Sequence, residues 1–443
     1  MRSIFRAIIF WILLFLVACA NSDPSSPIPA NITPQPIPLD ALVIKNGTVI
    51  DGTGAPPLRD GVIVIRQDKI VAVGRAAEFV IAPQTRIIDA QGGTIMPGII
   101  NSHVHEAASG LIRQYYFLQR GVTTACDVGG AISVMADFAV DSGYGLTARG
   151  FRTGPIINVP LGYPGYDDLL YPVSTPDQAR QAVTDLIVNH GADMIKTALD
   201  PWNSKLPWFA PPPGDPIPNP DLPLLQAIVD QAHRYRKPVR MHLGTEILLD
   251  LALDAGVDSI EHVPLPTLDN IDFQSPPPGK IAKLSEHFQA QLQRMVKQRV
   301  MMVPTVDHII TWCEGFAQTP EQKNRCGQYA LAPVQYFHDS GGTIGLGDDA
   351  TSFAHTLMPI GEMKRLAQAG LSSMEIIQAG TKYAAQICGH GDELGTLEPG
   401  KLADVIVVNG DPLANIAVMD QVSVVVIGGQ VAVPCDPKVS KFC

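Results

Sequence analysis

The stretch "TIMPGIINSHVHE", residues 94–106, is an apolar run that ends in two histidines one residue apart. Side chains on a strand alternate between its two faces, so His103 and His105 point to the same side. Neutral imidazole is the commonest protein ligand for zinc-like metals, and two crowded rings are costly unless a cation or strong hydrogen bonds compensate. The doublet therefore indicates either a metal site or two histidines that merely cap a strand.

The composition is that of a globular protein with a large core. The chain has 443 residues, of which 46% are hydrophobic and 17% are charged, and its formal net charge is -11. Acidic and basic residues are interspersed, and no basic stripe or Lys/Arg cluster occurs. This pattern argues against a nucleic-acid partner.

The N-terminus has the features of a targeting segment. Arg2 and Arg6 precede an apolar run over residues 7–18, which is short for a bilayer span but typical of a signal peptide. The run ends in Leu-Val-Ala before Cys19, which resembles a bacterial lipobox, and Ala20 follows instead of aspartate. We expect Cys19 to be lipidated and the protein to sit in the bacterial cell envelope, on the periplasmic side of the outer membrane. An ordinary secretory signal, with Cys19 incidental, is the alternative.

Six cysteines remain after Cys19, in a compartment that this signal predicts to be oxidising. Two pairs are close enough in sequence to be disulfide candidates, namely Cys313 with Cys326 and Cys435 with Cys443. Cys126 lies in a predicted strand and Cys388 in a predicted helix. A free thiol that packs as a small hydrophobe is the simpler expectation for each of these two.

The two ends of the chain share one sequence pattern, and the middle of the chain has a different one. Residues 42–92 and 394–433 contain β-rich runs with Asn-Gly, Asp-Gly and Gly-Gly turns, which predict antiparallel sheet. Between them short apolar strands alternate with helical patterns, which favours a closed parallel barrel. The predicted fold class is α/β, a (β/α)8 TIM barrel with a small β-sandwich formed by the flanking segments. The expected units are a signal peptide at 1–19, a flexible linker at 20–41, the sandwich at 42–96 and 394–433, the barrel at 97–393 and a tail at 434–443.

Ligand-type residues recur at the ends of the predicted barrel strands. After the doublet, Lys196 lies in the fourth strand, His242 in the fifth, His262 in the sixth, and an Asp348-Asp349 pair closes the eighth. A barrel brings its strand ends to one mouth, so residues far apart in sequence can converge there. A single histidine at such a position is more often a core residue, but the whole set indicates a site.

Lys196 is embedded in the apolar run "DMIKTAL". An unpaired ammonium there would be strongly desolvated and would lose its proton readily. A neutral amine beside a metal can add carbon dioxide and become a carbamate that bridges two metals. A lysine paired with a carboxylate and a Schiff-base lysine are the alternatives, and the four histidines argue against the second.

The sequence resembles the amidohydrolase superfamily, in its imidazolonepropionase and prolidase-like branch. Six segments carry the resemblance in the family's order: "NGTVIDGTG", "MPGIINSHVH", "GADMIKTAL", "DAGVDSIEHV", "LGDDA" and "GTLEPGKLADVIVV". The match extends over nearly all of residues 42–433. Taken together, these segments are much more specific than the histidine doublet alone.

The resemblance implies a two-metal hydrolase of carbon-nitrogen bonds. It implies that His103 and His105 bind the more buried ion, that carboxylated Lys196 bridges, and that His242 and His262 bind the outer ion. Asp349 would ligate the buried ion and carry protons, with Asp348 in place of the family's threonine. Zinc is the expected metal, which lowers the pKa of a bridging water so that hydroxide attacks the substrate carbonyl. Activity should fall at acid pH as the histidines protonate.

Several positions depart from the family pattern. Asn101 stands where aspartate is frequent, and the stretch after the third strand lacks the Gly-Gly-His-Gly of prolidase-like relatives. Tyr163 and Tyr166 in that stretch are candidates for substrate contact, with packing under their own loop as the alternative. Proline-rich inserts at 160–172, 200–223 and 264–280 follow barrel strands and are interpreted as substrate-shaping lids, with surface loops of no functional role as the alternative.

Two rival functions remain. A mononuclear deaminase on the same fold tends to carry glutamate three residues after the fifth-strand histidine, and that position is Thr245 here. A surface-anchored binding lipoprotein without activity is the second rival, and the intact ligand set argues against it. For the hydrolase, an acylated amino acid, a dipeptide or a cyclic amide would fit as substrate. A homo-oligomer is compatible with the sequence.

Overall fold

The computed structural model describes residues 34–105, 111–135, 146–165, 168–201, 216–273, 280–349 and 358–433. The predicted signal peptide, Cys19, Tyr166 and the cysteine pair near the C-terminus lie outside these ranges. Residues 166–167, 202–215 and 274–279 of the three predicted lids lie outside them as well. Within the described ranges, no helix is both long and apolar enough to cross a bilayer.

Strands and helices alternate through the middle of the chain. The strands are β1 Gln35–Pro36, β2 Leu42–Val49, β3 Leu58–Arg66, β4 Lys69–Arg75, β5 Phe79–Val80, β6 Arg86–Asp89, β7 Thr94–Pro97, β8 Ile99–Val104, β9 Val122–Asp127, β10 Arg149–Arg152, β11 Ile156–Asn158, β12 Leu170–Pro172, β13 Ile195–Leu199, β14 Val239–Leu243, β15 Ser259–Glu261, β16 Ile271–Asp272, β17 Lys283–Leu284, β18 Met301–Val303, β19 Val405–Val408, β20 Val422–Ile427 and β21 Gln430–Val433. The α-helices are α1 Leu111–Gln119, α2 Pro176–Val188, α3 Leu222–Arg234, α4 Leu249–Ala255, α5 Glu286–Gln298, α6 Val306–Phe316, α7 Pro320–Asp339, α8 Ile360–Gln368, α9 Ser373–Gln378 and α10 Ala384–Ile387.

The two flanking segments pair into one sheet, in the order β21-β20-β19-β7-β2-β3-β4, with β6 also paired to β2. The seam between them is the antiparallel pair β19–β7, in which Val405 faces Pro97. The antiparallel prediction holds for the hairpins, including β2–β3, but is wrong for the pairs that β2 forms with β6 and with β7, which are parallel. Tight turns join only the hairpin strands, and the longer connections to β6 and β7 permit parallel pairing.

The middle of the chain forms parallel strands, as predicted. One sheet has the order β10-β9-β8 and another the order β12-β11-β13-β14-β15-β18. β10 and β11 are consecutive in the chain and link the two sheets, because β10 pairs with β9 and β11 pairs with β13. Residues 343–349 lie between β18 and β8: Gly345 N donates to Met302 O, and Asp349 N donates to His103 O. The strand neighbours therefore follow the order expected around a barrel, with their C-terminal ends on one side.

Two disulfides tie the described chain together. Cys313–Cys326 joins α6 to α7 and confirms one candidate pair. The expectation of two free thiols is wrong, because Cys126 on β9 is bonded to Cys388 beyond α10, across a sequence separation of 262. Such a distant contact leaves no signal in local sequence patterns. The bond covalently joins β9 to the segment after α10, which leads the chain back to the flanking sheet.

Candidate metal centre

Three predicted ligands meet in one buried cluster at the C-terminal ends of the strands. His103 near the end of β8, His262 directly after β15, and Asp349 after residues 343–348 place one ligand atom each within 4.8 Å of one another. All three side chains are buried. Their separation in sequence is large, so their convergence is a property of the fold and not of any local motif.

Two further histidines extend this cluster. The His105 Nε2 atom lies 3.2 Å from Asp349 Oδ1. The centroid of the His242 ring lies 4.8 Å from that of His262. Lys196 is buried on β13, and its charge contributes to lowering the pKa of His103. The predicted histidine and aspartate ligands therefore lie close together, and the charge of Lys196 acts on one of them.

The backbone at the strand ends takes unusual conformations. His262 has a φ of 69°, Asp349 a φ of 56° and Thr305 a φ of 47°. Left-handed backbone costs an L-residue other than glycine roughly 1–2 kcal/mol. At His262 it breaks the strand alternation, so that Glu261 and His262, which are adjacent in sequence, both face His103. Conformations of this kind persist at functional sites because the surrounding structure imposes them.

Each of the four rings is held by the protein through one nitrogen. The contacts are His103 Nδ1 with Glu261 Oε2 at 2.6 Å, His105 Nδ1 with Gly129 O at 3.3 Å, His262 Nδ1 with Thr305 Oγ1 at 2.8 Å, and His242 Nε2 with Asp200 Oδ2 at 3.2 Å. A ring nitrogen that donates to an oxygen leaves the lone pair on the other nitrogen for a metal. Carboxylate and carbonyl oxygens only accept, so the protons lie on His103 Nδ1, His105 Nδ1 and His242 Nε2, whereas the Thr305 hydroxyl beside His262 Nδ1 can donate or accept.

The free nitrogen of His103 tests whether a metal fits. His103 Nε2 is fully buried and has no hydrogen-bond partner within the described part of the chain. Burial, together with the charge of Lys196, lowers the pKa of His103 to about 3. The ring is therefore neutral near pH 7, with its lone pair directed toward Asp349. Imidazole nitrogens and a carboxylate are ligands that zinc-like divalent ions prefer, so this donor set fits such an ion.

A buried carboxylate and guanidinium support the His103 ring. Glu261 accepts two hydrogen bonds from Arg240, at 2.8 and 2.7 Å, and a third from Ser259 Oγ at 2.7 Å. Burial alone would raise the pKa of Glu261, but the Arg240 guanidinium and the His103 hydrogen bond hold it well below its usual range. Glu261 therefore stays ionised and fixes the His103 tautomer.

The departures from the family pattern have physical explanations. Asn101 Nδ2 donates to Asp348 Oδ1 at 2.7 Å, so the asparagine holds the residue next to Asp349. Tyr163 stacks on the His242 ring with centroids 3.7 Å apart and planes 16° apart. Its predicted contact with substrate stays a prediction. Tyr166 lies outside the described residues.

Sequence reasoning missed several residues of the site. Asp200 follows Lys196 by four positions on the same strand face, so alternation could have indicated it. Glu261 directly precedes His262, and alternation would have placed it on the opposite face, so no such signal was available for Glu261. His308 on α6 places Nε2 3.5 Å from Asp349 Oδ2, and its side chain is 32% exposed. No pattern in the helix sequence marks His308, because its role depends on where α6 packs.

With this geometry established, the comparison with known proteins identifies the family. The sequence model described as "Amidohydrolase family" matches residues 94–432. The chain belongs to the amidohydrolase family. It is a metal-dependent hydrolase that acts on carbon-nitrogen bonds of small molecules.

Individual relatives point to more than one activity. The 5-methylthioadenosine/S-adenosylhomocysteine deaminase of Symbiobacterium thermophilum is 23% identical over 84% of this chain and 86% of its own. The imidazolonepropionase of the same organism is 30% identical over 21% of this chain and 26% of its own. Among solved structures, a Xaa-Pro dipeptidase with bound methionine is 25% identical, with a TM-score of 0.68, over 88% of this chain and 99% of its own.

The support of His103 by Glu261 gives a first prediction. Glu261→Gln should weaken metal binding roughly 10- to 100-fold, because the amide no longer secures the proton on His103 Nδ1. Ser259→Ala is the matched control, since it removes one hydrogen bond from Glu261 and leaves its His103 contact in place. Metal affinity is measured by competition with a chromophoric chelator. Equal affinity in Glu261→Gln and wild type would contradict the role given to this carboxylate.

A second buried carboxylate lies behind His262. Glu362 on α8 accepts hydrogen bonds from Val306 N at 3.0 Å and Asp307 N at 2.7 Å, at the start of α6. Thr305, the partner of His262, is the N-cap of that helix. Burial raises the pKa of Glu362 to about 8, and the negative charges of Asp307 and Asp348 act in the same direction. Glu362 therefore keeps its proton near neutral pH.

This raised pKa predicts how stability depends on pH. The folded protein binds the Glu362 proton more tightly than the unfolded chain, whose carboxyl has a pKa of 4.5. The resulting stabilisation is fully present below pH 4.5 and is lost as the pH rises through about 8. Urea unfolding of metal-free protein should show a decline over this range that is smaller in Glu362→Gln. The exposed Glu286→Gln serves as control, and identical slopes in wild type and Glu362→Gln would refute the prediction.

Proposed function

We propose that this protein hydrolyses an amide-type carbon-nitrogen bond of a small molecule, in the manner of a prolidase or dipeptidase. The observation that carries the proposal is the buried cluster of His103, His262 and Asp349, in which each ring is fixed through its other nitrogen. A site preset for metal ions suits hydrolysis of an unactivated bond. We also propose that the parallel strands close into an eight-stranded barrel around this cluster.

The residues divide into two groups of ligands for two divalent ions, with zinc as the expected metal. His103, His105 and Asp349 would hold the inner ion, and His242 and His262 the outer ion. Lys196, as a carbamate, would lie between them. When bound, such ions lower the pKa of water and polarise a carbonyl oxygen. The protein supplies fixed donors and keeps bulk water from them, since only His105 of the four rings is substantially exposed.

Asp349 is the residue that would move the proton. Its Oδ1 atom faces His105 at 3.2 Å, and its Oδ2 atom faces His308 at 3.5 Å. A carboxylate at this position can accept a proton from the attacking water and deliver it to the leaving amine. His308, which is partly exposed at the mouth, would help to orient the departing group.

The deaminase alternative rests on the curated relative and has one structural test. The position three residues after His242 is Thr245, and the next residue is the buried Glu246. Glu246 Oε1 accepts hydrogen bonds from Thr267 N, Thr267 Oγ1 and Asn270 Nδ2, at 2.8, 2.7 and 2.8 Å. Its Oε2 atom is buried and has no hydrogen-bond partner among the described residues, so these contacts do not decide between the two activities. What favours the hydrolase is Thr245, a hydroxyl side chain at the position three residues after His242.

The test measures metal content first and activity second. Wild type should bind two metal ions per chain and Lys196→Ala fewer, as measured by plasma mass spectrometry after equilibration with zinc and bicarbonate. Metal-loaded wild type is then screened against dipeptides, N-acyl amino acids, cyclic amides and aminated heterocycles. Asp349→Asn should reduce kcat on any substrate found by roughly 100- to 10,000-fold. A matched surface variant on α3, Asp230→Asn, should behave as wild type.

The outcomes separate the candidate functions. Two ions and release of an amine from dipeptides or acylated amino acids support the proposal. A single ion, with ammonia released only from aminated heterocycles, would replace it with the deaminase. Absence of bound metal from correctly folded wild type would favour a binding lipoprotein without activity.

We further propose that Cys19 carries a lipid anchor and that the protein resides in the bacterial cell envelope, on the periplasmic side of the outer membrane. The N-terminal sequence and the two disulfides within the described chain support this location. Full-length protein should fractionate with membranes, and Cys19→Ser should not be lipidated, as mass spectrometry of the mature N-terminus would show. An unmodified Cys19 in the wild-type protein would overturn the proposal.

A further inference from the structure

Asp200 lies immediately beyond β13, on the same strand face as Lys196. Its side chain is buried, and its Oδ2 atom lies 3.2 Å from His242 Nε2. No segment of sequence that carries the family resemblance includes this residue. Its position next to a predicted ligand of the outer ion raises the question of what it does.

The backbone of Asp200 is held in place by a residue from the following segment. Asp200 N donates to Asn219 Oδ1 at 2.8 Å, and Asn219 Nδ2 donates back to Asp200 O at 3.1 Å. Asn219 Nδ2 also donates to Ile217 O at 3.1 Å. These contacts fix where the chain leaves β13, and with it the direction of the Asp200 side chain.

The neighbouring strand leaves space for this carboxylate. A Cβ atom placed on Gly244 would lie 2.8 Å from Asp200 Oδ2, which is closer than real Cβ contacts allow. Gly244 follows His242 by two positions, so it faces the same side of β14. The absence of a side chain at Gly244 is what permits Asp200 to reach His242.

The His242 ring is thereby fixed by two contacts of different kinds. Tyr163 stacks on its face, and Asp200 holds its edge through Nε2. His103, His105 and His262 are held through Nδ1, whereas His242 is held through Nε2. Among these four rings, His242 is thus the one whose Nε2, rather than Nδ1, is held by the protein.

We propose that Asp200 is a positioning residue that holds the proton on His242 Nε2, so that Nδ1 binds the outer metal ion. This inference rests on the proposed two-metal centre. The carboxylate would raise the basicity of the ring and would add negative charge near an outer ion. Asp200 would thus serve His242 as Glu261 serves His103.

The experiment titrates zinc alone into metal-free full-length protein, with bicarbonate present and a chromophoric chelator as competitor. Asp200→Ala should bind the second zinc equivalent roughly 10- to 100-fold more weakly and the first equivalent as wild type does. Asp200→Asn, which can still accept a hydrogen bond, should show a smaller loss. Glu393→Gln is the matched control, because Glu393 accepts from His390 at the same 3.2 Å distance, away from the cluster. Thermal unfolding of each metal-free variant is measured alongside.

If Asp200 had only a structural role, its substitution would lower the thermal stability without selectively weakening the binding of one zinc equivalent. The visible spectrum of the cobalt-loaded protein gives an independent readout, since it should change in Asp200→Asn and stay constant in Glu393→Gln. If Asp200→Ala does not fold, the near-isosteric Asp200→Asn decides the question by the same two measurements. If wild type binds two zinc ions and the Asp200 variants bind both with unchanged affinity, the role proposed for Asp200 is overturned and the proposed two-metal centre stands. A wild type that binds fewer than two ions would overturn the proposed centre, and this inference with it.

Discussion

The structure of the site depends on one electrostatic constraint, namely that several buried lone pairs face each other in a small space. His103 Nε2 is fully buried without a hydrogen-bond partner in the described chain, and it faces Asp349 at 3.6 Å. Polar atoms are rarely left in this state, because desolvation without a new partner costs roughly 1–3 kcal/mol. A divalent cation satisfies all of these atoms at once. The surrounding fold holds these buried polar atoms close together.

Holding them requires buried charges that are themselves compensated. Arg240 on β14 and Glu261 on the neighbouring strand β15 form a fully buried ion pair. Loss of one partner from such a pair typically costs about 3–5 kcal/mol, because the other charge is left uncompensated. The left-handed backbone at His262 and Asp349 adds strain. These costs are retained because they position the imidazoles, which is the usual trade between stability and function.

Much of this arrangement could be predicted from sequence, and the remainder has identifiable reasons. The spacing of His103 and His105 and the burial of Lys196 follow from strand alternation and local hydrophobicity. Alternation fails at His262, since the left-handed residue after Glu261 turns both side chains to one side. The Cys126–Cys388 bond and the place of His308 depend on packing between distant elements, for which a single sequence holds no signal. The parallel pairing of β2 was hidden because only the hairpin turns are visible in sequence.

Family membership establishes the class of reaction, whereas the loops around the site determine which substrate binds. One curated relative that extends over most of this chain is a deaminase, whereas one solved neighbour of similar extent is a Xaa-Pro dipeptidase. One fold supports both activities because function resides in the groups around the metal site. In this chain the distinction comes down to Lys196 and to Thr245, three residues after His242.

The most direct measurement is anomalous X-ray diffraction at the zinc edge from crystals of the zinc-loaded protein. The account predicts two peaks roughly 3.5–4 Å apart. One should lie about 2.0–2.2 Å from His103 Nε2, His105 Nε2 and an Asp349 oxygen, and the other beside His242 and His262. An absence of anomalous density among these side chains in a loaded crystal would contradict the account.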